Sequence, residues 1–298
     1  MKTIVALSTP PIASAIAIIR LSGDNALKIA GKFFDFKDAI PRHMYYGVLD
    51  TGDIKDDCMA VYFKKPNSYT GEDMIEINCH GSVAISTKII QALIDEGAVM
   101  AQRGEFTRRA FENGKMDLTE CEGVIDLINS QTKGEINSAY NMMNGVLSQT
   151  IASLQNELKV IIAKNEVAID YPEEEIDQFT SGEIKKELIV FKNKLQKLKD
   201  TYNQGRIYTQ GVNISILGKP NVGKSALLNA LLGYDRAIVT SIEGTTRDTL
   251  QESYIYKDMR FNITDTAGIR KSEDEVEKIG IERSLQSAKN SDIILAVS

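Results

Sequence analysis

The amino-acid sequence predicts three regions of different fold class: an α+β domain over residues 1–118, an all-α region over 119–208 and an α/β domain over 209–298. Two observations separate them. Runs typical of β-strands alternate with helical spacing as far as about residue 118 and then stop until Val212. There an apolar run leads directly into a glycine-rich loop, as in the first strand of many α/β units. With 298 residues and 43% hydrophobic content, the chain can fill two or three cores.

Seven segments predict the elements of the first region. Segments rich in β-branched and aromatic residues are expected to be strands, and segments with apolar residues three or four apart are expected to be helices. The expected strands are residues 2–8, 15–21, 44–50, 58–63 and 74–80, and the expected helices are residues 24–34 and 82–97.

Two long amphipathic helices are expected in the middle region, because apolar residues recur there at steps of three and four and form one narrow seam on each helix. Pro172, a solvated acidic run and Gly182 interrupt the pattern between the seams, so the simplest arrangement is a helical hairpin. The two seams are Leu147, Ile151, Leu154, Leu158 and Ile161, and Ile184, Leu188, Phe191, Leu195 and Leu198.

Composition narrows the classes of protein. A net charge of −6 argues against holding nucleic acid through bulk positive charge, so any RNA contact must be local or shared with a partner. Cys58, Cys79 and Cys121 fit neither a metal knuckle nor a disulfide framework, which favours a reducing cytosol. The first residues do not form a signal peptide, and no run of about 18 apolar residues occurs. We therefore expect a cytoplasmic protein that does not span a membrane.

Residues 218–225, GKPNVGKS, match the phosphate-binding pattern G-x-x-x-x-G-K-[ST] in the strand–loop–helix context that this chemistry requires. Glycines let successive backbone N–H groups point at phosphates, and the start of the following helix adds positive potential. Lys224 is expected to neutralise the β and γ oxygens, and the Ser225 hydroxyl to ligate Mg²⁺. This segment predicts a P-loop nucleotide site.

Two later segments favour a GTPase over an ATPase. The run MRFNITDTAG ends in Asp265 and Gly268, where the carboxylate can hold the Mg²⁺ shell through water and the glycine amide can sense the γ-phosphate. Between this run and the P-loop, EGTTRD at 243–248 places two threonines where a switch loop would close over the metal. The order of the three segments is that of GTPases related to translation factors.

The group that positions the attacking water is not the usual one. Ile269 stands where Ras-like enzymes carry a water-orienting Gln. Asn221 in the P-loop has a side-chain oxygen that can ligate a monovalent cation beside the α and γ phosphates, which would stabilise developing charge. A carboxylate from the acidic cluster at 273–277 can reach the water directly or through a second water. By spacing alone, these acids also fit a solvated helix face.

Seven segments, in one shared order, carry a resemblance to a known family. They are IIRLSG, SYTGEDMIEINCHG and RGEFTRRAFENGKMDLTECEGVIDLI in the first two regions, and GKPNVGKSALLN, IVTSIEGTTRD, DTAGIR and DEVEKIGIERS in the third. Over nearly its whole length the chain resembles the MnmE (TrmE) family of tRNA-modification GTPases.

For residues 1–118 the resemblance implies a folate-binding and dimerisation domain. Arg20, Glu76 and Lys115 match the positions that contact a tetrahydrofolate derivative, 5-formyl- or 5,10-methylene-tetrahydrofolate. The chemistry agrees, because a carboxylate such as Glu76 pairs with the amide-like edge of a pterin, and the carboxylated tail suits Arg20 or Lys115. Spacing alone places Glu76 only on one face of a strand.

For residues 209–298 the resemblance implies a G domain with two metal sites. The Mg²⁺ ligands match Ser225 and Thr246, and the K⁺ ligands match Asn221, Thr240, Ile242 and Thr245. Glu277 matches the proposed catalytic glutamate, so that K⁺ and Glu277 replace the arginine finger and glutamine of other GTPases. The positions expected to bind GTP are Asn221, Val222, Gly223, Lys224, Ser225, Ala226, Thr240, Ser241, Ile242, Glu243, Gly244, Thr245, Thr246, Asp265, Thr266, Ala267 and Gly268.

The resemblance also implies a reaction and partners. As a homodimer, in a heterotetramer with a flavoprotein of the MnmG (GidA) type, the family adds a 5-carboxymethylaminomethyl-type group to the wobble uridine, U34, of certain tRNAs. The carbon is thought to come from the folate. GTP hydrolysis would drive opening and closing of the G domains rather than the modification itself.

The chain departs from the family pattern in two places. Ile12 to Ala15 replace a glycine-rich turn, so the loop beside Arg20 is expected to differ in shape. The sequence ends at SDIILAVS, before any guanine-reading N-K-x-D segment, closing helices or C-terminal Cys motif, so we expect a truncated G domain. A folate-binding dimer module without GTPase activity stays open as the alternative. A ribosome-assembly GTPase is disfavoured because it does not explain the folate-type segments.

Overall fold

The computed structural model describes residues 2–170, 181–218, 222–233, 251–265, 289 and 291–298. The chain divides into two compact units, Met1–Cys121 and Glu122–Ser298. The second unit holds both the helical hairpin and the P-loop sheet, and the finer limits of three domains stay a prediction.

The N-terminal unit is a mixed sheet with helices. Its strands are β1 Ile4–Leu7, β2 Ile16–Ser22, β3 Met44–Asp50, β4 Lys55–Phe63, β5 Met74–His80 and β6 Val99–Met100, and its helices are α1 Ala26–Ala30, α2 Val83–Asp95 and α3 Glu105–Glu112. The sheet order is β3-β4-β5-β2-β1-β6, antiparallel except for the β1–β6 pair. The five strands expected from the sequence are confirmed.

One face of this sheet carries the core. Odd-numbered residues of β2 and β5, such as Ile19, Leu21, Ile75 and Ile77, are fully buried against side chains of α1 and α2. Since side chains alternate along a strand, the even-numbered residues point to the opposite face. That face is open, with Tyr46, Ile16 and Met59 exposed, and it is the surface on which ligands can be bound.

The helix expected over residues 24–34 is shorter in the structure. The expectation was wrong for its second half, because α1 ends at Ala30 and the chain turns. The turn allows Phe34 and Phe36 to enter the core, where their rings meet edge to face with centroids 5.1 Å apart. Burying two aromatic side chains outweighs continuation of a short helix.

Arg109 of α3 ties the separate parts of the N-terminal unit together. It is 4% exposed, and its Nη1 donates to Glu72 Oε2 at 3.0 Å while its Nη2 donates to Glu105 Oε1 at 3.0 Å. Nη1 and Nη2 also reach the backbone carbonyls of Ser22 and Lys2, at 3.5 and 3.0 Å. A planar guanidinium can serve four acceptors in fixed directions, which an ammonium cannot.

The buried polar groups around Arg109 extend to the loop before β5. The Ser22 hydroxyl donates to Glu72 Oε2 at 2.7 Å and lies 2.7 Å from the Thr70 hydroxyl. Asn113, just after α3, donates to the Thr70 carbonyl at 2.7 Å. The loop around Tyr69 is therefore held by β2 and α3 together.

Helices follow, and the first of them crosses the boundary between the two units. They are α4 Leu118–Asn129, α5 Lys133–Met143, α6 Val146–Asp170, α7 Ser181–Asp200 and α8 Tyr202–Gln210. The expected hairpin of α6 and α7 is confirmed: Ile161, Ile184 and Phe191 are buried between them. Ion pairs Lys164–Glu187 at 2.6 Å and Lys194–Glu157 at 2.7 Å border this seam. Residues 171–180, with Pro172 and the acidic run, lie outside the described residues.

The P-loop sheet follows. It consists of β7 Val212–Gly218, α9 Lys224–Gly233, β8 Gln251–Tyr256, β9 Met259–Asp265 and β10 Ile293–Val297. The order is β10-β7-β9-β8, with β10, β7 and β9 parallel and β8 antiparallel. The strand expected before the glycine loop and the helix expected after it are confirmed. Strand β8 was not expected from the sequence. It joins β9 through a turn at Lys257 and Asp258, both with positive φ.

The start of α5 is joined to this sheet by a buried ion pair. Thr132 and Glu135 form a capping box, and Glu135 Oε2 also accepts from Arg260 Nη2 at 2.8 Å. Glu135 is 4% exposed, and Asp258 accepts from the Lys133 amide at 2.8 Å. The β8–β9 hairpin therefore fixes the beginning of a helix.

Replacing Arg109 by Met is expected to destabilise the N-terminal unit by about 3–5 kcal/mol, because the carboxylates of Glu72 and Glu105 would stay buried without their cation. Amide hydrogen exchange in β2 and α3 measures this unfolding free energy. Arg108→Met, at the exposed neighbouring position, is the control and should cost less than about 1 kcal/mol. Equal protection of the two variants would contradict the role assigned to Arg109.

Candidate functional site

Two glycines, Gly218 and Gly223, flank the loop that follows β7. A Cβ on Gly218 would lie 2.3 Å from the Val297 carbonyl oxygen, so only glycine fits where β7 meets β10. Gly223 has φ +97°, a conformation that side-chain-bearing residues rarely adopt. Directly after it, α9 begins at Lys224, and the first N–H groups of an α-helix are available to bind an anion.

The side chain of Lys224 folds back toward the end of β7. Its side chain is buried, and Nζ donates to the Gly218 carbonyl at 2.8 Å. The ammonium therefore lies inside the curve between the end of β7 and the start of α9, where phosphate oxygens would be neutralised. Val222 is half-buried, and Gly223 and Ala226 are exposed beside it.

Strand register brings Asp265 to the same edge of the sheet. Asp265 is the last residue of β9, and its Cα is paired with that of Ile216 in the parallel strand β7. The carboxyl ends of neighbouring parallel strands form one edge, which is where ligands bind in open α/β sheets. The structure thus places the backbone of Asp265 two residues from the level of Gly218, and its role at the nucleotide stays a prediction.

Other predicted positions of the nucleotide site fall outside the described residues, so their roles stay predictions. The backbone of Ser225 belongs to α9. The positions outside the description are Asn221, Thr240, Ser241, Ile242, Glu243, Gly244, Thr245, Thr246, Thr266, Ala267, Gly268 and Glu277.

In the N-terminal unit, Arg20 and Glu76 form a cross-strand pair on the open face. Their Cα atoms are register partners in β2 and β5, and Arg20 Nε and Nη2 donate to Glu76 Oε1 at 2.8 and 2.5 Å. Both side chains remain partly exposed, at 27% and 21%. Because both contacts use Oε1, Arg20 leaves Oε2 to other donors.

Two aromatic rings, which the sequence analysis did not single out, surround this pair. The Arg20 guanidinium carbon lies 5.6 Å from the ring centroid of Tyr69 and 5.8 Å from that of Phe106. The Tyr69 hydroxyl is 2.9 Å from that of Thr107, which fixes the ring against α3. The cation and the two rings form a surface against which a flat heterocycle can stack. The quoted segments SYTGED and RGEFTRRAF contain both rings and were the available signal.

Lys115 lies beside the same loop. Its side-chain carbons are 3.2–3.4 Å from an idealised Cβ of Gly71, and Nζ donates to the Pro66 carbonyl at 3.2 Å. Gly71 has φ +77°, so the backbone follows a path here that favours glycine. The structure thus brings two of the three predicted folate contacts into one pair and the third to the loop that carries Tyr69.

A second polar cluster lies at the far end of β5. The buried Asp56 carboxylate accepts from the His80 backbone amide at 2.9 Å, and its Oδ1 lies 2.6 Å from His80 Nδ1. Burial alone would raise the pKa of Asp56, but the hydrogen bonds from His80 and from the Cys58 thiol outweigh it and lower this pKa below its usual value. Asp56 is therefore ionised at neutral pH. The His80 side chain is 65% exposed, so one edge of its ring is open to solvent.

Two of the three cysteines of this unit lie in its hydrophobic core. Cys58 and Cys79 are buried, and burial raises the pKa of both thiols, that of Cys79 to about 11. A thiol of such pKa is protonated at neutral pH and is a poor nucleophile. Cys121 is half-buried on α4, with its sulfur 3.9 Å from the Thr107 carbonyl.

The part of the chain that the structure describes contains neither a cluster of metal-binding side chains nor a membrane-spanning helix. No group of three or more His, Cys, Asp or Glu side chains there is arranged to hold a metal ion. No helix within the same residues is long and apolar enough to cross a membrane.

A strand, a helix carrying an inward-folded lysine and an aspartate at the same sheet edge are features of the P-loop class of folds. A separate α+β unit presents its own polar site. Two family models match the chain: "GTP-binding protein TrmE N-terminus" over residues 3–115 and "MnmE helical domain" over residues 118–297. The chain belongs to the MnmE (TrmE) family.

Curated relatives support the assignment. The chain is 44% identical over 302 residues to the tRNA modification GTPase MnmE of Clostridioides difficile strain 630, and 47% identical over 300 residues to that of Fervidobacterium nodosum. These alignments cover 99% and 98% of this chain, and 66% and 65% of the relatives. The chain thus spans about two thirds of the length of the relatives it matches.

One solved structure, the G domain of the T. maritima FeoB iron transporter, aligns with 29% of this chain and 54% of its own length at 29% identity. The TM-score of 0.21 is too low to support a comparison of folds. The P-loop assignment therefore rests on the strand order, on the two glycines that flank the loop and on the contact of Lys224 with Gly218.

Proposed function

We propose that this chain is a GTPase that takes part in modification of the wobble uridine, U34, of tRNAs, with a tetrahydrofolate derivative as one-carbon donor and K⁺ as activator. The observation that carries the GTPase part is Lys224, whose ammonium lies at the end of β7, 2.8 Å from the Gly218 carbonyl. Membership of the family, whose curated relatives are named tRNA modification GTPases, supports the tRNA part.

The roles of individual groups in GTP hydrolysis follow from their chemistry. Lys224 and the first N–H groups of α9 would hold the phosphates, and Ser225, Thr246 and Asp265 would hold Mg²⁺ directly or through water. Asn221, Thr240, Ile242 and Thr245 would hold K⁺, which supplies positive charge beside the phosphates when bound. Glu277 would orient the attacking water, the role that Ile269 cannot fill.

The N-terminal unit would bind the folate on the open sheet face. Glu76 would accept from the amide-like edge of the pterin, the rings of Tyr69 and Phe106 would pack against the heterocycle, and Arg20 or Lys115 would pair with the carboxylated tail. Since Arg20 and Glu76 are already paired and partly exposed, the site is preorganised. A homodimer and a flavoprotein partner of the MnmG type complete this proposal.

A folate-binding module without GTPase activity is the second candidate. The N-terminal unit favours it, because that unit has its own core and a buried hydrogen-bonded network around Glu72. Turnover by this chain decides between the two.

Hydrolysis of GTP by this chain should fall at least about tenfold when Na⁺ replaces K⁺, because the smaller ion does not fit the same oxygens. The measurement is the steady-state rate in matched salts, with GDP and ADP competing for binding. Asn221→Ala should remove the difference between the salts. Equal rates of the unaltered chain in both salts would exclude the K⁺ site. Absence of turnover and nucleotide binding, with folate still bound, would favour the second candidate.

Glu277→Ala should keep GTP binding and raise the barrier to hydrolysis by roughly 2–4 kcal/mol, because the water would lose its orienting carboxylate. Single-turnover hydrolysis measures this step separately from product release. Glu273→Ala, in the same acidic cluster, is the matched control and should keep its rate. If both variants hydrolyse GTP at the unaltered rate, Glu277 has no catalytic role.

Glu76→Gln should weaken binding of 5-formyltetrahydrofolate at least about tenfold, because the charge-assisted acceptor is lost together with the partner of Arg20. Calorimetric titration of the 298-residue chain gives the affinity. Glu112→Gln, on the exposed side of α3, should bind like the unaltered chain. An unchanged affinity of Glu76→Gln would move the folate site elsewhere.

A further inference from the structure

The Asp56–His80 pair borders a shallow cleft of about 340 Å³ on the open sheet face. Its lining includes Tyr46, Met59, Asn78 and His80, from strands β3, β4 and β5. Ligand sites have volumes of about 300–1,000 Å³, and this cleft is near the lower end of that range. Its volume therefore suits a single heterocycle rather than a whole nucleoside triphosphate. The cleft is separate from the Arg20–Glu76 pair but lies on the same face.

The imidazole of His80 has a defined hydrogen-bonding state. Asp56 Oδ1 is 2.6 Å from Nδ1, and an ionised carboxylate only accepts, so Nδ1 carries the proton. Nε2 is directed away from the buried carboxylate, and in the uncharged form of the ring it is an acceptor. His80 therefore offers a lone pair to a molecule that has an N–H group.

Neighbouring groups complete the recognition of a flat base. Asn78 donates one amide hydrogen to the Met59 carbonyl at 3.5 Å, and its second amide hydrogen can reach a ligand carbonyl. The Tyr46 ring is 75% exposed and can stack on a base. Asp57 adds negative charge to the lining, which disfavours a phosphate there.

The wall of the cleft next to His80 is fixed by a close backbone contact. A Cβ on Gly81 would lie 2.2 Å from the Ser14 carbonyl oxygen, and the Ser14 amide donates to the Gly81 carbonyl at 2.9 Å. The start of β2 and the end of β5 are thus held together, which keeps Ala15 and Ile16 against His80.

We propose that this cleft binds a uracil base, with the N3–H group donating to His80 Nε2, a flanking carbonyl accepting from Asn78 and the ring stacked on Tyr46. The proposal rests on the proposed function, because it assigns the substrate base to these residues. Cytosine has an acceptor at N3, so it cannot form this hydrogen bond with a His80 imidazole whose Nε2 is also an acceptor.

The cleft and the Arg20–Glu76 pair lie at different positions along the same strand, β5. Glu76, Asn78 and His80 alternate along β5 and face the same side, so His80 lies about 14 Å from Glu76 along the strand. A one-carbon donor held at Glu76 and a base held at His80 would occupy neighbouring places on one sheet face.

The test uses NMR of the 298-residue chain titrated with uridine and with cytidine. The chain has two histidines, His43 and His80, so the spectrum of His80→Gln assigns the Cε1–H signals. Uridine should shift the His80 signal and bind about tenfold or more tightly than cytidine. His80→Gln should abolish the preference, and Tyr46→Ala should weaken uridine binding about tenfold. His43→Gln is the matched control and should bind like the unaltered chain.

Asp56→Asn provides a sharper test. Its amide can donate to Nδ1, which moves the imidazole proton to Nε2 and converts the presented acceptor into a donor. The preference should then change from uridine to cytidine. A uridine preference that persists in this variant or in His80→Gln, or equal binding of the two nucleosides by the unaltered chain, would overturn the assignment.

Folate binding and GTP turnover of the unaltered chain are measured on the same preparation. If both are present and uridine does not shift the His80 signal, the cleft assignment is overturned and the proposed function stands. If folate binding and GTP turnover are both absent, the proposed function is overturned. A uridine-induced shift of the His80 signal would then show only that the cleft binds the base.

Discussion

The buried guanidinium of Arg109 is the interaction on which the N-terminal unit depends. It neutralises Glu72 and Glu105 and holds the backbone at Ser22 and Lys2, so one side chain joins α3, β2, the first residues and the loop before β5. That loop carries Tyr69, and α3 carries Phe106. Both rings lie about 6 Å from the Arg20 guanidinium. The buried ion network around Arg109 does not contact the ligand surface itself. It sets the geometry of that surface because it holds the two segments that carry the rings.

Much of the fold could be predicted from the sequence because its signals are local. Alternation along β2 to β5, the three- and four-residue steps of α6 and α7, and the strand before the glycine loop each reflect one periodicity. The structure confirms these elements and brings Lys224 and Asp265 to one sheet edge. Arg20 and Glu76 were selected by resemblance rather than by spacing, and strand register shows that they are paired. Their binding of folate is still a prediction.

What could not be predicted depends on contacts between distant segments. The Asp56–His80 pair forms because β4 and β5 are neighbours, although 24 residues separate the two side chains. The end of α1 at Ala30 is set by the core that receives Phe34, and local propensity gives no sign of it. The two strands β6 and β8 are short or lack strong alternation, so they become visible only through their partners β1 and β9.

The most direct test of this account is the affinity of Arg109→Lys for 5-formyltetrahydrofolate, measured by calorimetry after hydrogen exchange has shown that β2 and α3 are still protected. Lysine keeps the positive charge but cannot serve the two carboxylates and two carbonyls together. The account predicts that folate binding weakens by at least about tenfold although Arg109 touches no ligand, because Tyr69 and Phe106 lose their fixed positions. Folate binding as tight as in the unaltered chain would contradict the dependence of the site on this network.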